Sequence, residues 1–432
     1  MRRHWITRSL ITSAILTFSF CLTARSLAAQ AVDESRLRHS GDGGRVPEPG
    51  GKDAGGPAPR LADGTPNLGR TEIGKGAWLP KLYTDYSAIL VDPPKSQGIP
   101  FQPWAKALQE YRHKVTSESE DPASFCLPLA GPHPYTRGGV HPIEFIQLPE
   151  QKRILQLMEF PGHNWRDIFL DGRSHPSKQE LEEYPTFMGH SIGHWEGATL
   201  VVDTVGFNEG TWIDKEGHPH TSQLHVIEKL ARTSMNNLHI EATFEDPGAY
   251  TRPWTIAFDL AWGADWAIKE YICQSNNRYQ DYYVKTTKGA TGTGNAGAEF
   301  GHGHPAKGTF LGEWGPNGGA QDRLMVLMDW DGKAITGTIN PGPQAMPITK
   351  AELNPDNWTL HLEGGAGAAR VVLDGKFENL TWLARSLTGT YTQGNHRGTF
   401  KITGSINERR PGFVTCSVRY VSYAQISPGI TT

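Results

Sequence analysis

Residues 189–207 read GHSIGHWEGATLVVDTVGF, and their alternating pattern indicates the fold class of the chain. Within it, Thr199, Val201 and Asp203 share one face of an extended segment, and the intervening residues share the other face. Such alternation is typical of a strand in an antiparallel sheet. Asp203 is therefore predicted to lie either in the interior of a barrel or at its rim.

The same alternation recurs on both sides of this stretch, with short runs separated by Gly, Pro, Asn and Asp. The predicted strands are 153–160, 165–171, 198–205, 222–232, 237–245, 252–260 and 267–273, followed by 308–315, 323–330, 333–339, 347–353, 357–363, 370–373 and 399–403. Asp331-Gly332 is a two-residue hairpin signal within the second set. We predict a mainly β protein with two antiparallel β-barrel or sandwich domains.

Two short helices are predicted beside these strands. Pro103 suits a first helical position, and the apolar residues from Trp104 to Val115 follow a helical i, i+3, i+4, i+7 pattern. Ser177-Lys-Gln-Glu180 is a capping box, and Pro185 ends the second helix soon afterwards.

Composition divides the chain into segments. Residues 1–29 are predicted to be a signal peptide, because arginines precede an uncharged run that ends in small residues. Residues 30–75 are rich in Gly, Pro and charge, so we expect a disordered tether. The remaining segments are expected to be a larger β-domain with a ligand pocket (76–286), a Gly-rich linker (287–307), a small barrel (308–406) and a C-terminal tail (407–432).

The signal peptide predicts a periplasmic or secreted protein. The formal net charge is −3 with mixed signs, which argues against nucleic acid or an anionic membrane surface as a partner. No later apolar run approaches the ~20 residues that span a bilayer. We expect a small-molecule ligand or substrate, no nucleic acid and no membrane span, and the sequence leaves the oligomeric state open.

Three cysteines remain after the predicted cleavage, namely Cys126, Cys273 and Cys416. An exported protein is in a compartment that permits disulfides. We predict a bond between Cys126 and Cys273, since both flank one β-domain and closing so long a loop stabilises by up to roughly 5 kcal/mol. Three buried thiols are the alternative.

His225 and Glu228 lie in the predicted strand LHVIEKL and point to opposite faces unless a bulge intervenes. The side chain that faces inward is a polar group in apolar surroundings and requires a partner. Each is a candidate general acid or base. A structural ion pair is the alternative.

A strand followed by an Asp-Gly turn places several charged groups at one lip. Arg166 lies in the strand, and Asp171, Arg173 and His175 surround the turn at its end. Strand ends and the loops after them often carry binding groups. Arg173 is a candidate clamp for a carboxylate or for sugar hydroxyls, and a solvated turn is the alternative.

His218 and His220 are two residues apart, so on an extended segment they point the same way. Together with His225 they are weak candidates for a zinc-type metal site. The surrounding loop contains Gly and Pro, which favours solvated histidines instead. We therefore predict no cofactor, with a divalent metal as the alternative.

The motifs DGRSHP, GHSIGHWEGATLVVDT, LHVIEKLAR and FEDPGAYTRPW together resemble a family of secreted, mostly-β bacterial proteins of unsettled function. That resemblance implies a shared fold and no particular reaction. The G-x-W openings at 193–195 and 312–314 are similar to the calycin group, which includes lipid carriers and tandem-barrel enzymes. This second resemblance implies lipocalin-like tandem barrels.

Three function classes follow. In the first, the first domain binds and transforms a small or medium organic molecule by acid–base chemistry, as a lyase, hydratase or isomerase. Its predicted catalytic residues are His225, Glu228, Asp203, Asp171 and Arg173. In the second, the domain is a lipocalin-like carrier of a hydrophobic or aromatic ligand. The predicted ligand-binding residues are Arg166, Trp195, Trp212, Tyr250 and Trp254. The third is a metal-dependent enzyme that uses His218, His220 and His225.

Overall fold

The computed structural model describes residues 55–71, 76–116, 121–136, 141–161, 164–271, 303–380 and 385–404. These residues form two closed β-barrels, which confirms the predicted fold class. The predicted signal peptide, the predicted C-terminal tail (407–432), Cys273 and Cys416 lie outside the described residues. No helix within the described ranges is long and apolar enough to cross a membrane.

The first barrel is a sheet whose first and last strands pair with each other. Its strands are β1 (Ala77–Leu79), β2 (Leu90–Asp92), β3 (Ile143–Leu148), β4 (Arg153–Met158), β5 (Asn164–Phe169), β6 (His190–Glu196), β7 (Thr199–Val205), β8 (His225–Ser234), β9 (Asn237–Glu245) and β10 (Trp254–Gly263). Pairing of β1 with β10 closes the ring, and β2 pairs with β10 outside it.

Side chains alternate between the two faces of these strands. On β8, Val226, Glu228 and Leu230 are buried in the barrel, whereas His225 and Ile227 lie on the outer face and are only partly buried. His225 and Glu228 therefore lie on opposite faces, as the alternation predicts.

The helix α1 (Pro103–Tyr111) begins at Pro103, as predicted, and buries Trp104, Ala105 and Leu108. Its Trp104 indole Nε1 donates to the Gly248 carbonyl at 3.0 Å. This contact fixes the helix against the loop between β9 and β10.

β5 and β6 pair in parallel, with Ile168 opposite Ser191. Parallel neighbours need a crossover connection, because a short turn cannot return the chain to the same end of the sheet. The crossover here is residues 170–189, and it contains the predicted second helix, α2 (Lys178–Glu183). Ser177 Oγ caps α2 by accepting from the Glu180 N–H at 3.2 Å.

The second barrel follows sequence order around a closed ring. Its strands are β11 (Gly308–Gly315), β12 (Asp322–Trp330), β13 (Ile335–Ile339), β14 (Met346–Asn354), β15 (Thr359–Gly364), β16 (Val371–Asn379), β17 (Ser386–Gln393) and β18 (His396–Gly404). A Cβ on Gly312 would lie 2.0 Å from the Lys401 carbonyl oxygen, so the strands come this close only because Gly312 has no side chain.

Three local predictions were wrong. Residues 267–271 form no strand, and there the Lys269 N–H donates to Glu159 Oε2 at 2.8 Å instead of to a neighbouring strand. The turn after β12 has four residues, because Trp330 pairs with Ile335. Strands β1, β2, β3, β6 and β17 were not predicted. In β6 and β17, Gly, His and Thr residues weaken the strand signal.

The predicted tether also ends too late. Leu68 is fully buried, its N–H donates to Gln147 Oε1 at 2.7 Å, and its carbonyl accepts from Trp78 Nε1 at 2.7 Å. The Arg232 guanidinium donates to the carbonyls of Asn67 and Gly69. These hydrogen bonds attach the segment to the first barrel although it contains few apolar residues.

Candidate functional site

Asp203 joins two histidines on the outer face of the first barrel. Its Oδ1 lies 3.0 Å from Nε2 of His175, which comes from the crossover, and 2.7 Å from Nε2 of His225, the first residue of β8. The side chains of His175, His225 and Asp203 are 19%, 29% and 38% exposed, so solutes can reach them. We call this arrangement the His–Asp–His bridge.

The bridge continues at both ends. His175 Nδ1 is 2.9 Å from Nδ1 of His190, and His225 Nδ1 is 3.3 Å from Oε2 of Glu245. The five side chains, from His190 through His175, Asp203 and His225 to Glu245, form one connected series that we call the histidine chain. Such a series can pass a proton between its members.

The protonation pattern of the histidine chain follows from its acceptors. Carboxylate oxygens only accept hydrogen bonds, so Nε2 carries the proton in both His175 and His225. A neutral His175 then has a bare Nδ1, and His190 Nδ1 donates to it. His190 Nε2 is left as an acceptor. His225 faces a carboxylate from each nitrogen, and a doubly protonated ring satisfies both contacts.

The surroundings of His190 favour its neutral form, which makes it the proton-accepting, or basic, end of the histidine chain. Burial lowers the pKa of His190, and the positive charge of Arg173 lowers it further. An imidazole with a lowered pKa is neutral near pH 7 and is able to accept a proton.

Arg173 and Asp171 lie at the edge of the site, at the lip where the sequence predicted them. Arg173 Nη2 donates to Asp171 Oδ2 at 2.6 Å, and these hydrogen bonds lower the pKa of Asp171 to about 2. The Arg173 guanidinium also lies 3.8 Å from the centre of the Phe169 ring, which stacks on His190. Phe169 therefore connects this ion pair to the histidine chain.

Two isoleucines line the site beside Asp203. In register, Asp203 pairs with Ile192 on β6 and with Ile227 on β8. Their side chains share the outer face with Asp203. The site therefore offers apolar surface next to its titratable groups.

Glu228 and Arg166 lie inside the barrel and do not belong to the histidine chain. Arg166 Nη1 donates to Glu228 Oε2 at 2.5 Å, and both side chains are almost fully buried. Arg166 also donates from Nε to Gln156 Oε1 and from Nη2 to the Tyr135 hydroxyl, each at 3.0 Å. Burial and the nearby Glu228 carboxylate raise the pKa of Tyr135 well above its ordinary value. The structure thus places Glu228 in an ion pair, the alternative that the sequence left open.

Three of the predicted ligand-binding aromatics are buried core residues. The Trp254 ring stacks on Phe244 with centroids 4.3 Å apart, and Tyr250 lies 5.3 Å from Trp254. Trp212 is buried beneath the Arg112 guanidinium, whose central carbon is 4.9 Å from the ring centre. Trp195 is partly buried against the core. A binding role for these four residues stays a prediction.

His218 and His220 are buried, so the expectation of solvated loop histidines was wrong. The segment between β7 and β8 folds inward and gives each ring a separate environment. His220 Nε2 accepts from the Thr211 hydroxyl at 2.8 Å, and burial lowers the pKa of His220 to about 4. His218 Nδ1 is 2.6 Å from Asp214 Oδ2. His225 has neither of these partners, so the three histidines do not form the alternative metal set.

Sequence reasoning singled out Asp203 and His225 and placed His175 at the lip, but it missed His190 and Glu245. The signal that identifies them is register. His225 pairs directly with Glu245 across β8 and β9, and His190 begins the strand beside Asp203. Register is not readable from the sequence of one strand.

No family model matches the chain, and no curated protein matches it. Among solved structures, a protein of unknown function from the DUF3598 family of Nostoc punctiforme matches with 8% identity, over 61% of this chain and 86% of that chain. The TM-score is 0.16, so this likeness carries no argument about function.

Proposed function

We propose that the histidine chain performs acid–base catalysis on a small or medium organic molecule, as a lyase, hydratase or isomerase. The observation that carries this proposal is the bridging of His175 and His225 by one oxygen of Asp203, at 3.0 and 2.7 Å. Reactions of these classes move protons near neutral pH, for which histidine is the suitable side chain.

In this proposal His190 is the base and His225 is the acid. His190 has a lowered pKa and an acceptor at Nε2, so it removes a proton from the substrate. His225 lies 2.7 Å from Asp203 and 3.3 Å from Glu245, so we assign it to supply a proton to the substrate. Asp203 and His175 hold the two rings in place.

Arg173, at the edge of the site, is placed to orient a substrate. Arg173 is exposed, lies over Phe169 and sits beside the basic end of the chain. We assign it to a carboxylate or hydroxyl group of the substrate. Ile192 and Ile227 supply an apolar wall for the rest of the molecule.

A metabolite screen by thermal shift, followed by analysis of each hit for chemical change, tests the proposal. His190→Gln, His225→Gln and Asp203→Ala should each reduce turnover by about 10² to 10⁴-fold. His194→Gln is the matched control, because His194 lies on β6 like His190 but is well exposed and contacts only Glu196 among the ion pairs of the described residues. Equal turnover in all four variants would rule out the histidine chain.

A carrier function is the second candidate, and one observation favours it. Gln156 Nε2 and Glu228 Oε1 are buried inside the first barrel without a hydrogen-bond partner among the described residues. A donor and an acceptor of this kind could hold a polar group of a bound ligand. A carrier releases its ligand chemically unchanged, and Glu228→Gln rather than His225→Gln should then weaken binding.

We also propose that the protein is exported. The sequence of residues 1–29 supports this proposal. The intact mass of the protein recovered from a periplasmic or culture fraction should correspond to a chain that begins near residue 30. A full-length chain confined to the cytoplasm would contradict export.

A further inference from the structure

We propose that Asp85, Asp214 and His218 bind a divalent transition-metal ion. One ligand atom from each residue lies within 4.8 Å of the other two. This cluster contains neither a member of the histidine chain nor the Arg166–Glu228 pair. The proposal is therefore independent of the proposed acid–base function.

The three ligands come from two distant parts of the chain. Asp85 precedes a 3₁₀ turn and caps it, because its Oδ1 accepts from the Ser87 N–H at 2.7 Å. Asp214 and His218 belong to the segment between β7 and β8. Both are buried, and Asp85 is partly buried.

Hydrogen bonds already orient the central carboxylate. Asp214 Oδ2 accepts from the Tyr86 N–H at 2.9 Å, and Asp214 Oδ1 accepts from the Glu216 N–H at 3.1 Å. Metal-binding carboxylates are commonly held by outer hydrogen bonds of this kind. The position of Asp214 is therefore fixed before any ion arrives.

His218 supplies the second, independent observation. Its Nδ1 is buried and makes no aligned hydrogen bond, although Asp214 Oδ2 is only 2.6 Å away. The imidazole nitrogen and the carboxylate oxygen thus face the same position without bonding each other properly. A cation beside them, coordinated by both atoms, would satisfy both.

Charge favours the same conclusion. Asp85 and Asp214 bring two carboxylates together, and the Asp214 carboxylate is fully buried. Burying charge without compensation is costly, and coordination of a metal ion is one of the usual solutions. Aspartate oxygen and histidine nitrogen are normal ligands of Zn²⁺, whereas Ca²⁺ prefers a shell of oxygen alone.

A bound ion would tie the turn at Asp85 to the segment that folds over the barrel between β7 and β8. Binding that favours the folded state raises stability by mass action. The expected role of this ion is therefore structural. Removal of the metal should lower Tm.

The test uses the full chain after treatment with a chelator, titrated with Zn²⁺ and with Ca²⁺ by calorimetry. Asp85→Asn keeps an oxygen that accepts from Ser87 and removes one negative ligand, and His218→Gln removes the imidazole. Asp331→Asn is the matched control, because Asp331 also caps a turn, through Lys333 and Ala334, but lies in the second barrel.

We expect one Zn²⁺ per chain, a Tm that rises with Zn²⁺, and affinity at least tenfold lower in Asp85→Asn and His218→Gln than in Asp331→Asn. The proposal is overturned if the original chain binds no Zn²⁺, if all four proteins bind it equally, or if Ca²⁺ binds in preference to Zn²⁺. Apo Tm values of the variants show whether each one is folded.

Discussion

Arg166 and Glu228 place opposite charges inside the first barrel, where water does not reach them. Their side chains are 1% and 0% exposed, and Gln156 and Tyr135 supply further hydrogen bonds to the guanidinium. A buried pair of this kind contributes little net stability over an apolar pair, but a single unpaired member is very unfavourable. The loss of stability on substituting Arg166 or Glu228 therefore depends on whether the other residue keeps an unpaired charge.

Glu228→Gln should therefore destabilise the protein by about 3 to 5 kcal/mol, because Arg166 remains charged in the interior. The double variant Arg166→Met with Glu228→Leu should recover most of this loss. Denaturant unfolding measures both values. A double variant as unstable as the single one would show that the pair itself, rather than the unpaired charge, carries the stability.

The residue-level predictions succeeded where alternation alone decides the outcome. Alternation predicts that His225 and Glu228 face opposite sides of β8, and it leaves Asp203 either in the interior of the barrel or at its rim. It carries no information on which neighbour a side chain meets. The contact between Asp203 and His225 depends on register, and the contact with His175 depends on the path of the crossover.

The crossover between β5 and β6 is the element that completes the site. It carries His175 to Asp203 and places the Leu181 side chain of α2 next to Gly206, the residue after β7. Gly206 has φ +75°. A side chain at this position would press on the crossover.

Gly206→Ala should displace the crossover, because the added Cβ would lie 2.7 Å from Leu181 Cδ2. Gly197→Ala is the control, since Gly197 also has a positive φ, +62°, but an added Cβ there meets nothing within 4 Å. The control should lose only about 1 to 2 kcal/mol of stability, which is the cost of placing alanine in the left-handed backbone conformation. Gly206→Ala should lose more stability and weaken the His175 contact, as seen by unfolding and histidine NMR. Equal losses of stability in the two variants would mean that the crossover accommodates the added Cβ without further cost.

Sequence patterns predicted most strands but not the parallel step between β5 and β6. The GHSIGHWEG letters indicate a turn, because glycine and histidine are weak strand formers. The strand forms nevertheless, since Ser191 and Thr204 share the buried face and their hydroxyl oxygens are 2.9 Å apart. Tertiary pairing overrides local propensity in such cases.

At the scale of the whole molecule, the two barrels meet around Trp330. Its indole Nε1 donates to the Gly248 carbonyl at 3.0 Å, and its ring stacks on His304 with centroids 4.3 Å apart. Lys307 Nζ donates to Glu209 Oε1 at 2.7 Å. The last residues of the predicted linker, 303–307, are therefore part of this contact, and its other residues, 287–302, lie outside the described residues.

His304 should make this contact sensitive to acid. Burial lowers the pKa of His304 from 6.5 to about 3, with a further contribution from Arg385. On acidification, His304 therefore takes up a proton at a higher pH in the unfolded chain than in the folded chain. The stability from the neutral ring is present above pH 6.5 and is lost as the pH falls toward 3. Between pH 7.5 and 4.5 the loss should be about 2 to 3 kcal/mol.

His304→Phe keeps an aromatic ring against Trp330 and removes the titrating group. Between pH 7.5 and 4.5, the free energy of unfolding of this variant should fall by about 2 to 3 kcal/mol less than that of the original chain. His194→Gln changes an exposed histidine and should leave the pH dependence unaltered. Identical pH profiles for His304→Phe and the original chain would contradict the assignment to His304.

A disulfide between Cys126 and Cys273 is predicted to close the first domain covalently. Cys273 lies outside the described residues, so the bond stays a prediction from the sequence and from the predicted export. Peptide mapping without reductant should recover the two cysteines in one linked fragment. Free thiols at both positions, or a link from either one to Cys416, would contradict it.

The His–Asp–His bridge is tested most directly by NMR of the protein labelled with ¹⁵N-histidine. The bridge predicts protected Nε2–H signals for both His175 and His225, and Asp203→Ala should remove both while leaving the signals of His194 unchanged. It also predicts a neutral His190 with its proton on Nδ1. Protons on Nδ1 instead of Nε2 in neutral His175 and His225, or Nε2–H signals that survive Asp203→Ala, would contradict the bridge and the proposed acid–base site.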